Sequence, residues 1–415
     1  MKRPRIALWV VIVLIAGCQT AQPAPAEPPS IIIASDFPLS DTAAPYIRSM
    51  SQAVQLEIAK NNHIGRYKVV YEPFDDAPVI TAPVRGVQNV RQMIAEGRVL
   101  GYVGPATSNG AFAQIQLANS AGLAMVNPSS TNWCLTLPDP YCNPQPAELR
   151  ALENNFFRVV APDPAQGRAL ARFARSVLKV RRAAAYTVHD AVDYLTFKGF
   201  KEEFEKDGGQ VVWSDDLAVD TKSFIPFLES AQAHGADVIF GATESVDCRI
   251  RAQMKKIFPP GTYFLGMDNF QEDTKCIGNA GDNADGMFAT VSVADLAQSS
   301  DPAVHQFVQD YARAYPHDAA MSPYAFAAYD CAVILTQAIT QAVAQDSGGF
   351  PTPLQVVRQI AASQFHGLAG TYSFDKNGDA TSPLMALYEV KGGQWVYLGQ
   401  IDAGSTAPPS SPSLG

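Results

Sequence analysis

Charge, histidine and closely paired cysteines are all scarce in this 415-residue sequence. Charged residues make up 17% of it, there are six histidines, and no CxxC pair or histidine cluster occurs. A cysteine or histidine metal centre is therefore not expected. Basic residues are also the minority, 31 against 40 acidic for a formal net charge of -9, which excludes a nucleic-acid binder because nothing offsets phosphate repulsion. No G-x-S-x-G, H-E-x-x-H or P-loop motif is present, so no hydrolytic or nucleotide site is marked. His189 and Asp190 are adjacent, but a lone pair of this kind orders a loop more readily than it does acid/base chemistry. The sequence thus predicts a protein that is not an enzyme and needs no cofactor. What it has in quantity is apolar residues, 47% of the chain, which excludes a disordered polyelectrolyte and supplies cores for two or three domains.

Long hydrophobic runs are missing too, apart from Ile6 to Ala16 behind Lys2, Arg3 and Arg5. That run is too short to span a bilayer as a mature helix and suits the apolar core of a signal peptide. It ends in LIAGC, which resembles a bacterial lipobox, so residues 1–17 are expected to be removed and Cys18 to carry lipid. Residues 18–29 then form a Pro-rich spacer, and 403–415 a disordered tail. Gln19 is not the Asp associated with inner-membrane retention in many lipoproteins. In an oxidising compartment Cys134 and Cys142, which bracket LTLPDPY, suit a short staple. Cys248 and Cys276 can close a second loop, leaving Cys331 as a small apolar residue in a helix.

The body reads as short apolar strands that end in polar loops and alternate with helices. IIIASDFPLS from Ile31, KVVYEPFDD at 68–76, VLGYVGPATSNG at 99–110 and AGLAMVNPSSTN at 121–132 make one series. AAAYTVHDAVDY at 183–194, QVVWSDDLA at 210–218, ADVIFGATES at 236–245 and TYFLGMDNF at 262–270 make a second. Such a grammar predicts parallel α/β architecture, with ligands at the carboxyl ends of the strands. Helices are expected over Pro45 to Lys60, Gly86 to Glu96, Pro302 to Tyr315 and Pro323 to Val343. Strands with hairpin character around KNGD are expected within 366–401.

Taken in order, ASDFPLSD, VGPATSNGA, NPSSTN, HDAVDY, ADVIFGATES, FLGMDNF with NADGMFAT, SPYAFAAYD and YSFDKNGDA resemble the leucine/isoleucine/valine-binding branch of the type I periplasmic solute-binding proteins, the receptors of ABC importers. The resemblance covers nearly all of 30–402. It implies an α/β fold of two discontinuous lobes, each a mainly parallel sheet flanked by helices, joined by three crossovers. Lobe 1 would be 30–155 plus 287–365 and lobe 2 would be 156–286 plus 366–402.

The same resemblance implies site residues. Ser108, Ser129 and Thr131 match a clamp for a ligand carboxylate, although each also suits a helix cap. Tyr194 matches an aromatic that covers the ligand. Glu244 is the best match to the acid that receives an α-ammonium, with Ser245 and Asp247 close in the alignment, and Asp268 is a second acidic candidate. Phe37 and Tyr324 match positions that shape the side-chain pocket. Leu195 departs from the family's usual Gly after Tyr194, and the Tyr324 hydroxyl departs from a strictly aliphatic pocket. The implied function is capture of an amino acid by a monomeric, lipid-anchored receptor on the periplasmic side of the envelope, which delivers it to an ABC permease. A receptor for an amide, urea-like compound or aromatic carboxylate, or a sensor without a transport role, stays open.

Overall fold

In the computed structural model, residues 29–40, 45–189, 191–243, 247–317 and 321–402 are described. The leader, Cys18, the tail at 403–415, Asp190, Glu244 and Ser245 lie outside them. Two sheets organise the chain. The first contains β1 (Ser30–Phe37), β2 (His63–Ile64), β3 (Tyr67–Asp75), β4 (Val99–Val103), β5 (Ala124–Asn127) and β6 (Phe156–Arg158), in the order β2-β3-β1-β4-β5-β6. All its pairings are parallel except β2 with β3. Helices cover both faces, so a central strand such as β1 is buried on both sides: Ile31, Ile32, Ile33 and Ala34 form a continuous apolar run rather than an alternating one.

The second sheet contains β7 (Arg182–Thr187), β8 (Gln210–Asp216), β9 (Val238–Gly241), β10 (Tyr263–Gly266) and β11 (Met287–Val291). After a small ribbon of β12 (Phe365–Gly367) and β13 (Gly370–Tyr372), the chain returns to this sheet with β14 (Leu384–Lys391) and β15 (Gln394–Asp402). The order is β15-β14-β11-β10-β9-β7-β8, parallel through β7 to β11 and antiparallel at β14 and β15. The β14–β15 hairpin turns on Gly392 and Gly393 at φ 58° and 72°, a two-residue turn that residues with a Cβ adopt poorly.

The chain passes between the sheets three times: after Arg158, after Val291 and before Leu384. These passages run side by side, since Ala161 N donates to Ser292 O at 3.0 Å and Ala386 N to Val293 O at 2.9 Å. Sheet membership moves the boundaries expected from sequence. Residues 156–158 belong to the first sheet and 287–291 to the second, because the chain crosses after completing a strand rather than before starting one. The segment around KNGD also stays with the first sheet. Arg158 N donates to Gly378 O at 2.9 Å, and Ala380 N to Arg158 O at 3.1 Å, so of 366–402 only β14 and β15 join the second.

Among the described residues one helix, Pro323–Gln345, is long and apolar enough to cross a membrane. It is a core helix, with Ala328, Cys331, Leu335 and Ile339 buried against Leu100, Val103 and Ala124 of the first sheet. Both expected disulfides are present, Cys134–Cys142 and Cys248–Cys276, and Cys331 is a buried free thiol. The second disulfide is enclosed in the second half's own core. The first packs against Leu195 of the other half.

Candidate ligand-binding site

A cleft of about 360 Å³ opens where strand ends of the two sheets face each other. One wall is made of hydroxyls and amides. After β4, the tight turn at Gly104 (φ 128°) brings the chain so close to β1 that a Cβ there would lie 2.5 Å from Asp36 O. Thr107 then caps the helix Ser108–Ser120, its hydroxyl accepting from Gly110 N at 3.1 Å. The loop after β5 is fastened to this one by Asn127, whose Oδ1 accepts from Ser129 N at 2.9 Å and Ser130 N at 2.6 Å while Nδ2 donates to Pro105 O at 2.8 Å. Ser129 Oγ donates to Ala106 O at 2.9 Å, and Asn132 N donates to Ser108 Oγ at 3.2 Å. Ser108, Asn109, Ser129, Thr131 and Asn132 all line the cleft beside the first turn of that helix, where backbone N–H groups lack intrahelical partners.

The opposite wall is acidic. Asp268 and Glu272 stand one turn apart on the short helix Asp268–Glu272 that follows β10, and Asn269 and Val192 complete this side. Asp268 Oδ2 accepts from Gln166 Nε2 at 3.0 Å and from the Tyr324 hydroxyl at 3.3 Å, and Oδ1 accepts from Asn269 N at 3.0 Å. Tyr324 comes from the core helix of the first half and also meets Ser292 Oγ at 3.0 Å, on a crossover. Gln166 Oε1 accepts from Thr290 Oγ1 at 2.8 Å, which fixes the amide that faces Asp268.

Burial raises the pKa of Asp268. Burial and then the charge of Asp268 raise those of Glu272 and Asp163. Tyr324 is held neutral, as a donor, first by burial and then by the charges of Glu272 and Asp268.

Five of the residues expected from sequence therefore meet at one place: Ser108, Ser129, Thr131, Asp268 and Tyr324. Phe37 does not line the cleft; it is fully buried in the first half's core. Tyr194 does not line it either. Its ring lies 4.3 Å from that of Tyr141, and it lines a separate hollow with Tyr186, Asp215 and Asp216. His189 is paired with Asp216, its ring nitrogen Nδ1 lying 2.5 Å from Oδ2, and serves as a loop contact. Asn109, Asn132, Val192, Asn269 and Glu272 were not foreseen. Glu272 carried a usable signal, because four residues after Asp268 on a helix is the same face.

A family model described as periplasmic binding protein matches residues 31–394. No curated protein matches the chain. Among solved structures, a leucine binding protein from Thermotoga maritima is 20% identical, with a TM-score of 0.69 over 89% of this chain and 98% of that one. An ABC transporter substrate-binding protein from Desulfitobacterium hafniense in complex with Leu is 19% identical, with a TM-score of 0.70 over 89% and 100%. A solute binding protein from R. palustris in complex with 4-hydroxybenzoate is 17% identical, with a TM-score of 0.67 over 90% and 97%. At these identities the structural likeness establishes the fold, and the family match over most of the chain establishes the family: the chain belongs to the periplasmic binding proteins, whose members are solute-binding proteins.

Proposed function

We propose that this protein captures an amino acid outside the cytoplasm and delivers it to an ABC permease, working as a monomer held to the membrane by lipid on Cys18. The observation that carries this reading is the pairing of opposite walls across one cleft. Hydroxyls, amides and a helix N-terminus suit an α-carboxylate, and Asp268 with Glu272 suits an α-ammonium. A volume of about 360 Å³ is within the range of sites that enclose a small solute. Because the walls come from different halves, a solute touching both favours the closed arrangement over the open one. An aromatic carboxylate fits less well, since it brings no cationic donor for Asp268 and Glu272.

The test is a thermal-shift and intrinsic-fluorescence panel of amino acids, each beside its deaminated analogue. Amino acids are expected to raise the melting temperature and the analogues to have little effect. A panel in which the deaminated acids stabilise as well as their parents sinks the ammonium assignment.

A further inference from the structure

We infer that the solute is a dibasic amino acid, one whose side chain ends in a second ammonium or guanidinium group. This rests on the amino-acid reading and narrows it. A neutral amino acid brings one positive charge, whereas the cleft presents two carboxylates, Asp268 and Glu272, with no Lys, Arg or His among the described residues that line it. A third carboxylate stands directly behind them. Asp163 is 1% exposed, shares Gln166 Nε2 with Asp268 at 3.4 and 3.0 Å, and its Oδ2 is buried without a hydrogen-bond partner.

The nearby cation is already committed. Arg158 donates from Nε to Asp379 at 2.6 Å, from Nη1 to Asn132 O at 2.8 Å and from Nη2 to Thr136 Oγ1 at 2.7 Å. Nor does the cleft suit an aliphatic side chain. Ala106, Val192 and the ring of Tyr324 are its main apolar surfaces, too little to bury a leucine side chain away from water. A dibasic amino acid satisfies all of this at once: carboxylate on the hydroxyl wall, two cationic groups on the acidic wall.

Charge balance also predicts how pH acts. In the empty cleft burial, and then the charge of Asp268, raise the pKa values of Glu272 and Asp163, so a dication must displace protons from these two acids as it enters. The groups that face one another here are Asp163 on the helix Asp163–Ser176, Asp268 and Glu272 on theirs, Tyr324 on the core helix and Arg158 on β6. Acidification restores the protons and weakens binding, whereas a neutral amino acid, which needs only one carboxylate, loses less.

The experiment is calorimetric titration of the disulfide-intact chain, freed of bound solute, with L-lysine, L-arginine, L-leucine, cadaverine and 4-hydroxybenzoate at pH 8 and pH 5.5. Lysine or arginine is expected to bind at least tenfold more tightly than leucine at pH 8, with that margin shrinking severalfold at pH 5.5. Leucine binding as tightly as either basic amino acid overturns the inference while leaving the amino-acid reading intact. Cadaverine binding as well as lysine supports the dication and overturns the carboxylate clamp. Binding of 4-hydroxybenzoate alone overturns both. Glu272→Gln is expected to cut the lysine-to-leucine affinity ratio about tenfold. Asp268→Asn is the second variant should the first fail to fold, and an unchanged ratio in a folded variant refutes the assignment.

Discussion

Each half of the molecule buries carboxylates, and the two groups are completed differently. In the first, Asp36 is fully buried and accepts from Asn89 Nδ2 and Gln114 Nε2, both at 2.7 Å, while Tyr102 holds the far end of Gln114 at 2.9 Å. The packing leaves no spare room: a Cβ on Gly86 would lie 2.0 Å from Gln114 Nε2. Beside it, burial and then the charge of Asp36 keep the Asp76 carboxyl protonated into the neutral range. In the cleft, Asp268 and Glu272 sit against an open volume and Asp163 has an unused oxygen. Burial alone therefore does not mark a binding acid. What separates the groups is what they face: Asp268 and Glu272 keep a side open to the cleft although the chain donates to Asp268, whereas Asp36 is enclosed by packed side chains.

The largest effect is expected from breaking the completed group. Asp36→Ala leaves two buried amides facing a void, and a loss of about 2–5 kcal/mol is expected from urea unfolding, the cost of leaving two buried donors without an acceptor. Asp268→Asn should behave in the opposite way. It relieves repulsion with Asp163 and Glu272, so the empty protein should keep its stability to within about 1 kcal/mol while solute affinity falls at least tenfold, equivalent to about 1.4 kcal/mol. Equal destabilisation by the two substitutions would erase the distinction.

The pH dependence separates the groups next. All these acids have raised folded-state pKa values, as does Asp330, which burial pushes up to about 6 although Leu368 N, Ala369 N and the Tyr372 hydroxyl all donate to it. A raised acid binds its proton more tightly when folded. Its stabilising contribution is complete below the ordinary value near pH 4 and is lost as pH rises through the folded value. The empty protein should therefore unfold more easily at pH 8 than at pH 5.5, and the part of that slope above pH 6 belongs to acids other than Asp330. Saturating lysine should flatten the cleft's share, leaving the share of Asp36 and Asp76. A slope that lysine does not alter contradicts the division.

This contrast also explains what was legible in the sequence. Apolar strand cores such as Ile31–Ile33 and Val99–Val103 report local burial, so both strand series and the fold class could be read directly. The hydroxyl wall was legible through the family resemblance, which pointed to Ser108, Ser129 and Thr131, all of which follow strand ends. Completion of a carboxylate is a tertiary fact. Asp163 lies one helical turn before Gln166, a spacing visible in the sequence, but Asp268 reaches the same amide from a separate strand–helix unit, and no spacing encodes that. Phe37 and Tyr194 show the finer limit. Successive strand residues face opposite sides, and successive helix residues are about 100° apart, so a shift of one position moves a side chain from cleft to core or surface. On the helix Ala191–Lys206 it is Val192 that reaches the cleft and Leu195 that packs on the disulfide, with Tyr194 between them turned outward.

Smaller again is the effect expected at the hydroxyl wall. Ser108→Ala removes one uncharged oxygen that already accepts from Asn132 N, and a three- to tenfold loss of solute affinity, about 0.7–1.4 kcal/mol, is expected by calorimetry with little change in melting temperature. The acid wall should outweigh it, because there both the protein group and the solute group carry charge, whereas at the hydroxyl wall only the solute does.

The smallest effect is expected where the halves touch outside the cleft. The loop closed by Cys134 and Cys142 reaches across to the helix Ala191–Lys206 through Leu195, the Tyr141–Tyr194 ring contact and an ion pair between Lys198 Nζ and Asp139 Oδ2 at 3.6 Å. With the lysine side chain 45% exposed, that pair is worth no more than about 1 kcal/mol, and salt screens it. Lys198→Ala should leave unfolding unchanged within about 0.5 kcal/mol but quicken solute release up to about fivefold in stopped-flow fluorescence at low salt, an excess that vanishes near 0.5 M salt. A release rate insensitive to both substitution and salt would mean that the loop steadies the first half alone. Under the proposed function a weak link suits this position, because a contact between halves that open and close must be broken in every cycle of capture and delivery, and one as strong as the Asp36 cluster would hold the cleft shut.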